Sequence, residues 1–208
     1  MIPGTNIFKN KPGITKSEDL DRFEYVSFLI RLDTTPDGDF STEHLKIIHK
    51  HLLQDVYDWA GEFRDVPTER STSVFCRPEF IIQESDKITK SIDLSELKGL
   101  KPKEFSEKLS EIISEINAVH PFLDGNGRFI RVFAEKLSTA AGYELNVSRL
   151  QGESWNKASE RSFFGDSKDF GQYSYFDQRI FLLCEPLIVL VCALDFVLHG
   201  FGAPFLSP

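Results

Sequence analysis

Cysteine is scarce in this 208-residue chain, and its three copies suggest no disulfide framework. Their number is odd, and Cys76, Cys184 and Cys192 lack the close spacing of a metal site. This pattern favours free thiols in a reducing compartment. The N-terminus also lacks a basic segment followed by an apolar one, so no ordinary secretory signal is predicted. We therefore expect a cytoplasmic protein. Delivery into a host cell by a specialised secretion system is the other possibility, because such a signal escapes this test.

Positive charge is in short supply as well. The formal net charge is -8 at pH 7, which argues against a general nucleic-acid binder. Any site for a phosphate-containing ligand must therefore be a local pocket of positive charge.

Long apolar runs are limited to one region, the C-terminal tail of residues 176–208. The mostly apolar run over 180–201 is interrupted at Glu185, Pro186, Asp195 and His199. Its uninterrupted part is shorter than the roughly 20 residues that cross a bilayer. We expect a packed helix that is buried or covered by a partner, with a membrane-associated tail as the alternative.

What the chain does have is helical periodicity and an apolar fraction of 41%, enough for one medium domain. Residues 1–16 are rich in Pro, Gly, Asn and Lys and predict an irregular arm, so the domain is expected over 17–175. Apolar residues that recur at steps of three or four predict a mainly α fold. Helices are predicted from Ser17, from Ser41 to a stop at Gly61, and over 78–92, 103–119, 128–141 and 148–162.

The first predicted helix should have Ser17 as its capping residue. Its periodicity predicts an inward face made of Leu20, Phe23, Ser27 and Ile30.

Three histidines, His44, His49 and His51, lie on the second predicted helix. A metal site explains them poorly, because histidine ligands on one helix are better placed one turn apart and no third ligand is evident. Solvated or hydrogen-bonded histidines are the favoured explanation.

A different pattern occupies residues 66–75, which are β-prone at both ends and polar in the middle. This predicts a short hairpin or flap, and a plain surface loop explains the pattern about as well. The positions of interest within it are Val66, Thr68, Ser71, Ser73, Val74 and Phe75.

The richest chemistry lies in the residues from His120 to Arg131, between the helices predicted over 103–119 and 128–141. A neutral imidazole at His120 can take a proton from a hydroxyl group. Asp124 can hold Mg²⁺ together with phosphate oxygens, as this ion prefers. Phe122, between polar neighbours, is best explained as an anchor that pins the loop to the core.

The second half of this loop is suited to binding an anion. Gly125 and Gly127 allow the backbone to approach closely at a helix N-terminus, where N–H groups carry partial positive charge. The side-chain amide of Asn126 can add a donor. Arg128 and Arg131 stand three residues apart on one helix face, and each can bind a phosphate group. The pattern therefore fits a polyphosphate better than a single phosphate.

Each part also has an ordinary structural explanation. Gly-Asn-Gly is a common turn, a histidine at a helix end is usually a cap, and helical arginines usually face solvent. The combination favours a functional site, and it resembles the signature of the Fic family, His-x-Phe-x-Asp/Glu-Gly-Asn-Gly-Arg-x-x-Arg, at every specified position. The resemblance extends to residues 44–66 and 154–166, and it covers roughly residues 40–170.

The resemblance implies a Fic-type helical bundle with a short β-hairpin flap over the loop. It implies transfer of AMP from ATP to a Ser, Thr or Tyr hydroxyl of a target protein, with release of pyrophosphate. His120 would be the base that activates this hydroxyl, and Asp124 would bind Mg²⁺. The flap would align the target chain by strand addition.

The resemblance also implies which residues of the loop bind each phosphate of ATP. Gly125, Asn126 and Gly127 would form the anion hole for the transferred phosphate. Arg128 and Arg131 would hold the β- and γ-phosphates.

Two questions stay open: how the enzyme is kept inactive, and which nucleotide donates the transferred group. Fic proteins are often held inactive by a helix with Ser/Thr-x-x-x-Glu-Gly/Asn, whose glutamate pairs with the second arginine, here Arg131. No glutamate in this chain precedes Gly or Asn, so we expect either a toxin-type enzyme restrained by a separate antitoxin protein or an unrestrained effector. Transfer of UMP or another phosphate-containing group is an alternative to AMP, and so is a catalytically idle protein-binding module.

Overall fold

The computed structural model describes residues 1–70 and 73–145 of the chain. Within them the prediction of a mainly α fold is confirmed, with six α-helices, one 3₁₀ turn and one pair of two-residue strands. The bounds are α1 Ser17–Leu32, α2 Thr42–Leu53, β1 Glu69–Arg70, β2 Ser73–Val74, the 3₁₀ turn Pro78–Phe80, α3 Ile81–Lys90, α4 Leu94–Gly99, α5 Pro102–Val119 and α6 Asn126–Ala141. Ser71, the helix predicted over 148–162 and the C-terminal tail lie outside the described residues.

The core is formed where α5 packs against α3 and α6, while α6 also packs against α2 and α4. Its largest fully buried side chains are aromatic and include Tyr57, Phe105, Phe122, Phe129 and Phe133. Phe122 precedes the Gly-Asn-Gly turn and Phe129 follows it. The loop between α5 and α6 is therefore anchored in the core on both of its sides.

Helices α5 and α6, which flank this loop, follow the sequence pattern closely. α5 begins with Pro102, whose missing N–H costs nothing at a helix start, and the Glu104 carboxylate accepts the backbone N–H of Lys101 at 3.0 Å. α6 starts at Asn126, two residues before the predicted start at Arg128, because the Gly-Asn-Gly turn is already its first turn.

The prediction for α1 is wrong in its cap and in its inward face. Ser17 is the first helical residue rather than the cap. Phe23 is 37% exposed and Ile30 is 69% exposed, although both were expected to be buried. The residues that face inward are Leu20, Glu24 and Ser27. The helix takes this orientation because Glu24 forms charge-assisted hydrogen bonds inside the protein, described below.

Helix α2 is capped by Ser41, whose hydroxyl accepts the N–H of His44 at 3.3 Å, but it ends at Leu53 instead of Gly61. The chain turns there because Asp55 accepts two hydrogen bonds from Arg31 of α1, at 2.7 and 2.8 Å. These tertiary bonds hold the residues after Leu53 away from the path of a continued helix, so Trp59 lies beyond α2.

The segment before α5 contains one helix, α4, that the periodicity did not indicate. Asp93 caps it by accepting the N–H groups of Ser95 and Glu96, at 2.8 and 3.2 Å. α4 is only six residues long, too short for a periodic signal. None of the helices in the described part of the chain is both long and apolar enough to cross a bilayer.

Candidate active site

His120 occupies the point at which the chain leaves α5. Its backbone is left-handed, with φ 49° and ψ 61°, and its N–H donates to the Ile116 carbonyl at 3.0 Å. A residue other than glycine pays about 1–2 kcal/mol for this conformation, so other contacts must hold it. One of these contacts is the ring of Phe75, which stacks on the imidazole with centroids 3.8 Å apart and planes inclined by 11°.

A second contact to His120 comes from the buried side chain of Arg64, which is 4% exposed. Its Nε donates to the His120 carbonyl at 2.7 Å, and its Nη1 donates to the Val66 carbonyl at 2.8 Å. Its Nη2 donates to the carbonyls of Cys76 and of Val119, the latter at 3.1 Å. Burial lowers the pKa of Arg64, and the carbonyls at the end of α5 favour the cation. One guanidinium thus fixes His120 and both ends of the hairpin segment.

The turn after Asp124 forms the N-terminus of α6. Gly125 adopts φ 76°, and a Cβ there would lie 2.5 Å from Cδ1 of Leu53, so only glycine fits this position. The first N–H groups of α6 follow directly. Such groups lack helical partners and bind anions.

Asn126 has a role besides the one expected of its side chain. Its Oδ1 accepts the N–H of Phe122 at 3.0 Å, and its Nδ2 donates to the Phe122 carbonyl at 2.8 Å. The residue is 3% exposed. The amide therefore closes the loop on itself with one of its two hydrogens. Donation from this side chain to a ligand stays a prediction.

Phe122 is fully buried and lies against His49 of α2. The two rings stack with centroids 3.7 Å apart and planes inclined by 7°. His49 Nε2 lies 2.9 Å from the Asp124 carbonyl, and His49 Nδ1 accepts the N–H of Gly61 at 2.9 Å. Burial lowers the pKa of His49 to about 4, so the ring is neutral at physiological pH.

Asp124 is half-buried, and its Oδ1 accepts the N–H of Gly125 at 2.6 Å. No cluster of three or more His, Cys, Asp or Glu side chains suited to a metal occurs in residues 1–70 and 73–145. A single carboxylate beside an anion-binding helix start does not form a protein cage. It does fit Mg²⁺, which usually takes one or two carboxylates plus phosphate oxygens and water.

Arg128 is held by a carboxylate from the N-terminal helix. Its Nη2 lies 2.7 Å from Oε2 of Glu24, a residue 104 positions earlier, and the side chain of Glu24 is 10% exposed. The hydroxyl of the buried Tyr57 donates to Oε1 of the same carboxylate. Burial raises the pKa of Tyr57 and the Glu24 carboxylate raises it further, so the phenol keeps its proton. Only one nitrogen of Arg128 binds Glu24 in this arrangement.

Arg131 follows one turn later on α6. Burial lowers the pKa of Arg131 to about 10, and the nearby charge of Arg128 contributes to the shift. The Arg131 guanidinium therefore remains charged at neutral pH. Two cations kept close together in a partly buried position favour an anionic ligand that contacts both.

The segment expected to be a flap contains a short antiparallel pairing. Glu69 lies opposite Val74, and Arg70 lies opposite Ser73. The N–H of Phe75 extends this pattern by donating to the Thr68 carbonyl at 3.3 Å. The pairing is too short to establish a flap over the loop, which stays a prediction.

The residues predicted to dock a target differ in exposure. Val66 is 44% exposed and Thr68 is half-buried, whereas Phe75 is 8% exposed and lies against His120. Phe75 therefore supports the histidine, and its side chain is not available to a target. Ser71 lies outside the described residues.

Three contact residues of this site were not assigned a role from the sequence: Glu24, His49 and Arg64. Arg64 formed part of the resemblance but carried no chemical argument. His49 belonged to the group explained as solvated or hydrogen-bonded histidines. Glu24 lies among apolar residues of α1, and a carboxylate on that face was the one available signal.

Comparison with known proteins gives this geometry a context. The model of the Fic/DOC family matches residues 39–138. The "Probable protein adenylyltransferase y4lH" of Sinorhizobium fredii is 39% identical over 167 residues, which is 79% of this chain and 87% of that protein. The "Probable protein adenylyltransferase Fic" of Escherichia coli is 34% identical over 171 residues, 80% of this chain and 84% of its own length.

A solved structure shows the same fold. The crystal structure of BepC from Bartonella tribocorum, described as a VirB-translocated effector with bound AMPPNP, superposes with a TM-score of 0.76. It is 26% identical, and the match covers 84% of this chain and 95% of that one.

Proposed function

The chain belongs to the Fic/DOC family, and from that membership we propose how its residues carry out the reaction. Relatives matched along most of their length are named protein adenylyltransferases, so this chain is an enzyme that transfers AMP from ATP to a target protein. The activity predicted from the sequence is thereby confirmed. The roles of individual residues are our proposal, and the observation that carries it is the placement of His120 and the anion-binding start of α6 at opposite ends of one anchored loop.

His120 acts as the general base. A ring nitrogen takes the proton from a hydroxyl of the target protein as that oxygen attacks the α-phosphorus of ATP. The bond between the α-phosphorus and the oxygen bridging to the β-phosphate breaks, and pyrophosphate leaves. The stack on Phe75 and the Arg64 bond to the backbone keep the ring in position for this step.

The start of α6 stabilises the charge on the transferred phosphate. The backbone N–H groups of Asn126 and Gly127 are the proposed anion hole, since they lie at a helix N-terminus. Gly125, whose own N–H donates to Asp124, contributes by letting the backbone approach the phosphate closely. Arg128 and Arg131 bind the β- and γ-phosphates. Glu24 orients Arg128 through one nitrogen and leaves its other donors to the nucleotide.

Asp124 would hold Mg²⁺ beside these phosphates. Bound there, the ion would neutralise part of the phosphate charge. The Asp124 side chain is oriented for this by the N–H of Gly125, and its backbone is held by His49.

The hairpin at residues 66–75 presents the target hydroxyl. A target segment that adds as a strand is held by main-chain hydrogen bonds, so different sequences can be presented in one register. The two ends of the hairpin are tied to Arg64, which supports a fixed distance between the docked strand and His120.

We propose that this enzyme is inhibited by a separate protein. The support is that no glutamate precedes Gly or Asn in the chain, so the inhibitory motif of the family is absent from it. An antitoxin-type partner would carry the glutamate of the inhibitory motif and direct it to Arg131. We also propose action in a cytoplasm, either that of the producing cell or that of a host.

The test is transfer of label from ATP to protein. The purified chain is incubated with a cell lysate and Mg²⁺, once with ATP labelled at the α-phosphate and once with ATP labelled at the γ-phosphate. Label from the α-position alone is expected. His120→Ala should abolish it while Mg–AMPPNP still binds, and His51→Ala, a change on α2 outside the loop, is the matched control.

Each alternative predicts a different result. Label from the γ-position alone would indicate a kinase, and label from α-labelled UTP in place of ATP would indicate UMP transfer. No labelled protein with any of them would favour a binding module. An active His120→Ala variant would remove the assigned base.

A further inference from the structure

We infer that His49 is a positioning residue for the metal and nucleotide side of the active-site loop. It lies on α2 and is fully buried, so its side chain has no surface on which to touch a ligand directly. It acts through Asp124 and Phe122, which it contacts directly. This inference rests on the proposed function of the loop.

The hydrogen bonds fix the chemical state of the ring. A backbone N–H can only donate, so Nδ1, which faces the N–H of Gly61 at 2.9 Å, must be the acceptor. The hydrogen of the neutral ring is then on Nε2, and it donates to the Asp124 carbonyl at 2.9 Å. Both ring nitrogens are thus used, and each holds a different segment of backbone.

The ring face supplies a third attachment. It stacks on Phe122 at 3.7 Å, and Nε2 lies 3.4 Å from the place where a Cβ on Gly125 would be. One rigid group therefore supports the loop at Phe122 and Asp124 and lies close to the turn at Gly125. The other side of the ring is held by the turn at Gly61, which has a φ of 85° and whose N–H donates to Nδ1.

The functional consequence concerns the backbone of Asp124. If the tether from Nε2 is lost, the carbonyl is left without its buried donor and the carboxylate loses its fixed direction. Groups that orient a metal ligand in this way typically change metal affinity or activity by roughly 10–100-fold when they are removed. A histidine that only fills the core would change stability without this effect.

Two amide substitutions separate the two hydrogen bonds. The amide of His49→Gln reaches the position of Nε2 and keeps a donor for Asp124, but it loses the acceptor for Gly61. The amide of His49→Asn occupies the position of Nδ1 and keeps the acceptor for Gly61, but it loses the donor for Asp124. Both variants lose the stacked ring and one hydrogen bond, so their melting temperatures should fall by similar amounts.

The experiment measures binding of AMPPNP by calorimetry, with and without Mg²⁺, and the KM for ATP in the labelling assay. We expect His49→Gln to stay within about threefold of wild type and His49→Asn to bind Mg–AMPPNP roughly 10–100-fold more weakly. The gap between the variants should shrink without Mg²⁺. If His49→Asn does not fold, His49→Phe replaces it, since it keeps a ring on Phe122 and loses both hydrogen bonds.

Equal weakening in the two variants, or none in either, would overturn the positioning role and leave the proposed function intact. A wild-type protein that binds no Mg–AMPPNP would overturn both.

Discussion

The burial of His49 predicts how stability responds to acid. Burial lowers the pKa of His49 to about 4 in the folded protein, against about 6.5 in the unfolded chain. Between these values the unfolded state binds a proton that the folded state does not, so stability falls as the pH falls from about 6.5 to about 4. The cost grows to about 2 kcal/mol at pH 5 and approaches about 3.4 kcal/mol below pH 4, from 1.36 kcal/mol per pKa unit.

His49→Gln removes this titration and leaves every carboxylate in place. The variant should be less stable than wild type at pH 7, because it loses the stack on Phe122 and the bond from Gly61. That deficit should shrink by about 2 kcal/mol at pH 5, since only wild type loses stability through this group. Urea unfolding followed by fluorescence at pH 7, 6 and 5 measures it. If the difference in unfolding free energy between wild type and His49→Gln stays constant within about 0.5 kcal/mol from pH 7 to pH 5, the burial argument is refuted.

Three further predictions follow from the contacts of the loop. Arg64→Lys keeps the charge but cannot reach four carbonyls at once, so the free energy of unfolding should fall by about 2 kcal/mol. In the labelling assay, kcat should be lower, and the KM for ATP should change little. Gly125→Ala places a Cβ 2.5 Å from Leu53 at φ 76°, so thermal denaturation should show that the free energy of unfolding falls by about 1–3 kcal/mol. Calorimetry should also show weaker binding of AMPPNP. A variant with unchanged stability and binding would contradict the conformation of the turn. Glu24→Ala leaves Arg128 without its buried carboxylate and should cost about 3–5 kcal/mol by urea unfolding, whereas Glu24→Gln should cost less because it keeps an acceptor for the guanidinium.

The loop could be predicted from the sequence because its chemistry is local. His120, Asp124 and the two glycines fall within eight residues, and their spacing alone indicates the site. The flanking helices α5 and α6 were also predictable, since their apolar residues repeat regularly and Pro102 and Gly142 mark their limits.

The supporting contacts could not be predicted in the same way. Glu24 meets Arg128 across 104 positions, and α1 buries this carboxylate while Phe23 is 37% exposed. His49 meets Asp124 across 75 positions. Helical periodicity carries no information on such partners, so a carboxylate or an imidazole on an inward face looks like an exception until the fold brings its partner near.

Arg64 recognises only backbone. Its four side-chain hydrogen bonds end on main-chain carbonyls, so they place no demand on the side chains at positions 66, 76, 119 and 120. The residues between Val66 and Cys76 can therefore change while Arg64 keeps both ends of the segment next to His120. If the hairpin presents the target as proposed, exchanging residues 69–74 between related enzymes should change the target and leave the chemistry unchanged.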